Sequence, residues 1–303
     1  MRQRRNARAG RRLTGRSAFT LVELLVVIGI ITVLIGITVP FVSSMRQRAN
    51  AANTAAQING LRAAIEAYRT TFGAYPGPLS DEQVCRVPGA PNLPSGIVLN
   101  AGSMAMSENL VLGLLGGLVL QGNAIAYQQI AVGQGPMNFG AVPPRATKPF
   151  IDNWSSQIST GQLKDPLGAN LAADTNVPEF VDRFPNSLPI LYLRARAGAP
   201  GTINTATSGP LLYQYDARQI TPYTTRDLNG KAQGLRNAGN YTEQLSSKAP
   251  NNLLPFFRSP TNPGPNNATG NPRCKDGFIL ISAGIDGIFG TSDDITSFGS
   301  IFD

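Results

Sequence analysis

Hydrophobic positions along the chain begin with an unbroken apolar run from Phe19 to Val39. Its 21 residues are mostly Leu, Val and Ile, and Glu23 is their one charge. A helix of that length rises about 31 Å, enough to cross the hydrocarbon core of a bilayer. The run continues through Pro40, Phe41 and Val42 with no small-x-small cleavage site behind it, unlike an ordinary secretory signal. After Pro40 the pattern becomes amphipathic. Ile58, Leu61, Ile65, Tyr68 and Phe72 step by three and four residues, with Gln57, Asn59, Arg62, Glu66 and Arg69 between them. Gly73, Pro76 and Gly77 end this pattern. Residues 19–72 therefore predict one long helix, interrupted or kinked around Gly36 and Pro40, whose apolar stripe packs on a sheet.

Later elements are shorter. Leu110–Leu120 predicts a buried helix, capped by Ser107 and Glu108 and too short to span a membrane. Pro189–Ala195, Leu211–Tyr215 and Gly277–Ala283 have the aliphatic and aromatic content of strands. Residues 216–272, rich in Asn, Gly, Pro and Thr, predict a long loop. The expected fold class is α+β, a long N-terminal helix packed on a small antiparallel β-sheet. Five segments follow: a basic leader (1–18), a transmembrane and assembly helix (19–42), its amphipathic continuation (43–77), a variable insertion (78–188), and an antiparallel sheet with an acidic C-terminal loop (189–303).

Composition removes much chemistry. The chain has no histidine, which excludes Ser-His-Asp and Cys-His catalysis, His-ligated zinc and imidazole acid–base steps. Two cysteines, Cys85 and Cys274, cannot make an all-thiolate zinc site or an iron–sulfur cluster. No repeat, P-loop, GxGxxG or nucleophile elbow is present.

The net charge of +8 resembles a nucleic-acid signal until it is located. Arg2, Arg4, Arg5, Arg8, Arg11, Arg12 and Arg16 stand in the first 18 residues with no acid among them. That leaves 19 basic against 18 acidic side chains in the rest, a nearly neutral body without bias towards phosphate, so no nucleic-acid partner is expected. Arginines before an apolar span keep the N-terminus cytoplasmic and place the remainder across the membrane.

The run Arg16-Ser17-Ala18-Phe19-Thr20-Leu21-Val22-Glu23-Leu24-Leu25 resembles the type III signal of type IV pilins and type II secretion pseudopilins. The resemblance implies that a prepilin peptidase cuts between Ala18 and Phe19 and methylates the new amino terminus. Ala18 stands where the family usually has Gly. Glu23 is then fifth in the mature chain, as in the family, and Pro40 falls where these proteins usually carry a helix-kinking proline. Leu61-Arg62-Ala63-Ala64-Ile65-Glu66-Ala67-Tyr68 followed by Phe72-Gly73-Ala74-Tyr75-Pro76 is similar to the major pseudopilins. The implied protein is a non-catalytic subunit polymerising into a periplasmic filament for type II secretion. Its expected partners are the peptidase, copies of itself, other pseudopilins, the inner-membrane assembly platform and the membrane. In such a filament one subunit's Phe19 ammonium and a neighbour's Glu23 carboxylate neutralise each other.

The tail from Asp276 to Asp303 carries five aspartates and no basic residue. Three carboxylates on a glycine-rich turn are either solvated or bridged by a cation such as calcium, which takes oxygen ligands. Residue types alone leave both open. Gly284-Ile-Asp286-Gly287 followed by Gly290-Thr-Ser-Asp293-Asp294-Ile295 looks like the calcium loop of major pseudopilins. That resemblance implies a structural calcium ion held by Asp286, Asp293 and Asp294, with Thr296 and a carbonyl near Ser282 as further ligands. Outside the cytoplasm Cys85 and Cys274 could pair, a bridge worth about 4–5 kcal/mol in the chain-entropy model, and two separate thiols fit equally well. Two other readings remain: a type IV pilin or competence pseudopilin serving adhesion, motility or DNA uptake, and a membrane-anchored extracytoplasmic enzyme or binding protein using aspartates for acid–base work.

Overall fold

The computed structural model describes residues 19–84, 97–98, 104–122, 124–138, 141–160, 177–201, 203–204, 210–216, 219, 224–226, 232–234 and 271–299. Ala18, the leader and Cys85 lie outside them. The elements in chain order are α1 (Leu21–Phe72), α2 (Asp81–Val84), β1 (Ile97–Val98), α3 (Met106–Leu115), β2 (Gly116–Gln121), β3 (Ala124–Val132), β4 (Met137–Asn138) and β5 (Arg145–Ala146). A 3₁₀ turn (Trp154–Ser156) precedes β6 (Ile158–Thr160), β7 (Pro178–Phe180), β8 (Leu191–Arg194), β9 (Ile203–Asn204) and β10 (Tyr215–Asp216). The last are β11 (Thr224–Arg226), β12 (Ala232–Gly234), β13 (Phe278–Ser282) and β14 (Ile295–Thr296). The chain divides into two compact units, Met1–Arg46 and Gln47–Asp303, with the α+β architecture in the second.

In the first unit, α1 is long and apolar enough to cross a membrane. Its Leu, Ile and Val side chains from Leu21 to Val42 are exposed, a hydrophobic face that requires a membrane or a partner. The hydroxyls of Thr32 and Thr38 donate to the carbonyls of Ile28 and Leu34, each at 2.7 Å, so they need no water. The expected interruption at Gly36 or Pro40 does not occur. Pro40 lies inside α1 and the helix is assigned without a break. One backbone bond is lost there, and helical turns on both sides maintain the propagation.

In the second unit, the predicted stripe is core. Ile58, Leu61 and Ile65 are fully buried in one cluster with α3, Tyr192 and Leu280. Tyr68 and Phe72 close its edge, with ring centroids 4.5 Å apart and Phe150 at 5.3 and 6.0 Å. Three strands form the central antiparallel sheet in the order β14-β13-β8, with Phe278 opposite Arg194 and Ile281 opposite both Leu191 and Thr296. A second three-stranded sheet, β1-β3-β2, is mixed, because β1 runs parallel to β3.

All ten residues of α3 are buried, and the helix lies against β7 and β8. Its N-cap is Ala105, not Ser107. Glu108 accepts the Ala105 N–H at 2.6 Å, and Ser107 Oγ instead accepts the Tyr192 N–H at 3.2 Å. The apolar run Leu110–Leu120 is not one helix. It divides at Gly116 into α3 and β2, because Gly116 adopts φ 87° and a Cβ there would stand 2.1 Å from the Gly135 carbonyl oxygen. Segment 78–188 thus carries much of the core.

Leu211–Tyr215 is not a strand either. Leu212 is exposed, and Gln214 turns its side chain to the Asp276 N–H and carboxylate, leaving the short β10 to pair in parallel with β9. The expected loop 216–272 contains an antiparallel pair, β11 with β12.

Candidate functional site

The first candidate is the start of α1. Thr20 N–H and Thr20 Oγ1 each donate to Glu23 Oε2 at 2.9 Å, and Glu23 N–H donates back to Thr20 Oγ1 at 3.2 Å. This is a reciprocal capping box, and it satisfies donors that a helix start leaves open. Thr20-x-x-Glu23 has the spacing that announces it, which gives Glu23 a capping role beside the one expected in assembly. Phe19, four residues before Glu23, is 77% exposed.

The second candidate is the turn between β13 and β14. Asp293 Oδ2 accepts the N–H groups of Ile285 and Asp286 at 2.6 and 2.9 Å, and Asp286 Oδ1 accepts that of Ile288 at 2.8 Å. The Thr291 hydroxyl lies 2.6 Å from Asp293 Oδ1 and 3.3 Å from Asp286 Oδ1. Asp294 Oδ2 accepts the Gly290 N–H at 2.7 Å, while its Oδ1 is buried with no hydrogen-bond partner. Gly284, at φ 68°, is required: a Cβ there would meet the Asp293 carbonyl oxygen at 2.2 Å.

The loop therefore brings Asp286, Asp293 and Asp294 together, but it directs two predicted hydroxyls elsewhere. Ser282 Oγ donates to Asp182 Oδ2 at 2.9 Å, and Thr296 Oγ1 donates to the Gly299 carbonyl. Among the described residues no three acidic or thiol groups are drawn to one point as metal ligands. All three carboxylates are instead held by backbone N–H groups. Burial, followed by the nearby Asp293 and Asp286 carboxylates, pushes the Asp294 carboxyl up to about 8, despite the Gly290 N–H. Burial also raises Asp286, with Asp293 adding to it. A buried, unpartnered carboxylate oxygen among hard oxygen donors fits a calcium ion in chemistry.

Asp182 was not among the expected site residues. It is almost fully buried, and its Oδ1 accepts the N–H groups of Phe184 and Leu188 at 3.3 and 3.1 Å. Burial pushes its carboxyl up to about 6, against the lowering effect of Ser282 and these amides. A carboxyl raised on folding favours the protonated native state: its contribution is complete below the ordinary carboxylate range and is lost as pH rises towards 6. Asp294 acts with the same sign over a range reaching about 8. In calcium-free buffer the chain should therefore resist urea better at pH 4.5 than at pH 8, and D182N should shrink the difference.

A groove of about 590 Å³ beside β14 is lined by Arg62, Glu66, Cys274, Phe278 and Phe298 among others. Among the described residues Cys274 has no disulfide partner, its candidate partner Cys85 lying outside them, and burial raises the pKa of its thiol, which favours an unreactive thiol over a nucleophilic thiolate. No family model, curated protein or solved structure matches this chain. Its function is therefore argued from these residues.

Proposed function

We propose that the chain is a pseudopilin-like filament subunit of a type II secretion machine, processed by a prepilin peptidase between Ala18 and Phe19. The single observation that carries this reading is the start of α1, where Phe19 and Glu23 open an exposed apolar helix that continues into the core of a folded head. Before processing, the basic leader stays in the cytoplasm, α1 crosses the bacterial inner membrane once, and the head is periplasmic. The subunit is not an enzyme. Apolar helices pack against one another in the filament, and a neighbour's Glu23 neutralises the freed Phe19 amine. The resemblance of the Leu61–Pro76 stretch and the acidic loop to the major pseudopilins supports secretion over pilus or DNA-uptake machinery, with which the signal itself is shared. Deleting the gene should stop protein export while leaving motility and DNA uptake intact. Loss of motility or uptake with export unchanged would assign the subunit to one of the other machines.

In this reading the acidic loop holds a structural calcium ion through Asp286, Asp293 and Asp294, with a carbonyl near Ser282 and Thr296 completing the set after their local bonds rearrange. Bound, the ion supplies positive charge that lets buried Asp294 ionise. At a hundred times its dissociation constant, calcium should stabilise the full chain in detergent by about 2.7 kcal/mol. Calorimetry should show the rise in melting temperature, and EGTA or D294N should abolish it. An unchanged melting temperature with calcium would remove the ion from the account.

A further inference from the structure

The first residue of α1 is Leu21, and Thr20 caps it. The Thr20 carbonyl accepts the Leu24 N–H at 3.2 Å, and Thr20 Oγ1 accepts the Glu23 N–H at 3.2 Å. Glu23 Oε2 accepts two bonds in return, from the Thr20 N–H and hydroxyl, both at 2.9 Å. Phe19, one residue upstream, stands outside the helix and is exposed. The residue types before it would not stop a helix. Alanine is the strongest helix former and serine a good N-cap, so the next start that Ser17 and Ala18 offer lies three residues earlier. Both lie outside the described residues. A helix begun at Ser17 would carry Ala18 and Phe19 in its first turn and bond the Ala18 carbonyl to the Val22 N–H. With Thr20 as the cap, the helical ladder begins two carbonyls later.

We propose that Thr20 is a positioning residue for processing: its cap fixes the start of α1 so that the Ala18–Phe19 bond stays outside the helix and open to the peptidase. The inference rests on the processing proposed above. In that step water adds to the Ala18 carbonyl carbon and the Ala18–Phe19 C–N bond breaks. The products are an Ala18 carboxylate and a Phe19 ammonium. The carbonyl oxygen gathers negative charge as water adds, and donors supplied by the enzyme must reach it. An oxygen already bonded to Val22 in a helical turn is less open to them. Glu23 completes the box, but the hydroxyl of Thr20 is the group that takes the backbone N–H of the first turn. The residue before the scissile bond sharpens the need for this cap. A glycine there would itself oppose an upstream start, whereas Ala18 favours one.

The full chain in detergent, incubated with purified prepilin peptidase and followed by intact mass, tests this. T20V keeps the shape of the side chain but cannot cap, and T20S keeps the hydroxyl. T20V should be cut about fivefold more slowly than the wild type, the factor by which loss of a side-chain cap shifts a helix start. T20S should be cut at the wild-type rate. A18G separates helix extension from direct contact between Thr20 and the enzyme, because glycine opposes the upstream start while the hydroxyl stays absent. Added to T20V it should restore the rate, and it should change the wild-type chain much less. Equal rates for T20V and wild type, or the same acceleration by A18G in both, would overturn the role of Thr20 and leave the processing reading standing. A wild-type chain left uncut would overturn both.

Discussion

Glu23→Gln should leave the N-terminus processed and methylated while removing the subunit from filaments. The choice of glutamine matters because Glu23 has two roles to separate. In the isolated chain it caps α1 through Thr20, and a Gln carbonyl can still accept the Thr20 N–H. Loss of such a cap costs about 1 kcal/mol. In the proposed filament, loss of the carboxylate would leave a neighbour's ammonium buried without its partner, at a cost of about 3–5 kcal/mol. If pairing is the role that matters, Gln and Ala should fail alike in filament recruitment, measured by cross-linking of subunits in cells. Normal recruitment of the Gln variant beside a defective Ala variant would reduce Glu23 to a helix cap.

The second large effect lies in the head. Arg194 on β8 donates through Nε and Nη2 to Asp81 Oδ1 at 3.0 and 2.8 Å, and both side chains are 14% exposed. The same guanidinium reaches the carbonyls of Tyr75 and Leu79 at 3.3 and 3.2 Å, fastening the chain where it leaves α1. Arg194→Met would leave Asp81 as an unpaired buried carboxylate and remove a donor from both carbonyls. It should lower the urea-derived unfolding free energy by about 3–5 kcal/mol. D81L combined with Arg194→Met should recover part of that loss, because no charge then remains uncompensated. A single variant within 1 kcal/mol of the wild type, by the usual measure of exposed pairs, would mean that water screens this pair after all.

The parts of the fold that were legible in the sequence are those set by periodicity. The stripe Ile58, Leu61, Ile65 and the apolar run Phe278–Ile281 announced the core face of α1 and the central strand, because burial on one face leaves a repeat of 3.6 and burial on both leaves a continuous run. Where close backbone approach decided the outcome, the sequence was less informative. Leu110–Leu120 has the composition of one helix, and it divides at Gly116, which has φ 87° and packs too closely on Gly135 to carry a Cβ. Leu211–Tyr215 has strand composition, but Gln214 is committed to Asp276, 62 residues away. The acidic loop was visible as a cluster of charges, whereas the role of Asp182 depends on a partner 100 residues distant. Thr20 and Glu23 are the opposite case, a local signal that was present and was eclipsed by a stronger resemblance.

Everything in the functional account depends on where the mature chain begins. Intact mass and N-terminal sequencing of the protein from cells with and without the prepilin peptidase test that most directly. The account predicts a chain starting at methylated Phe19 only when the peptidase is present. A chain that retains residues 1–18 in both, or that is cut elsewhere, would contradict it and make Glu23 the cap of an ordinary membrane anchor.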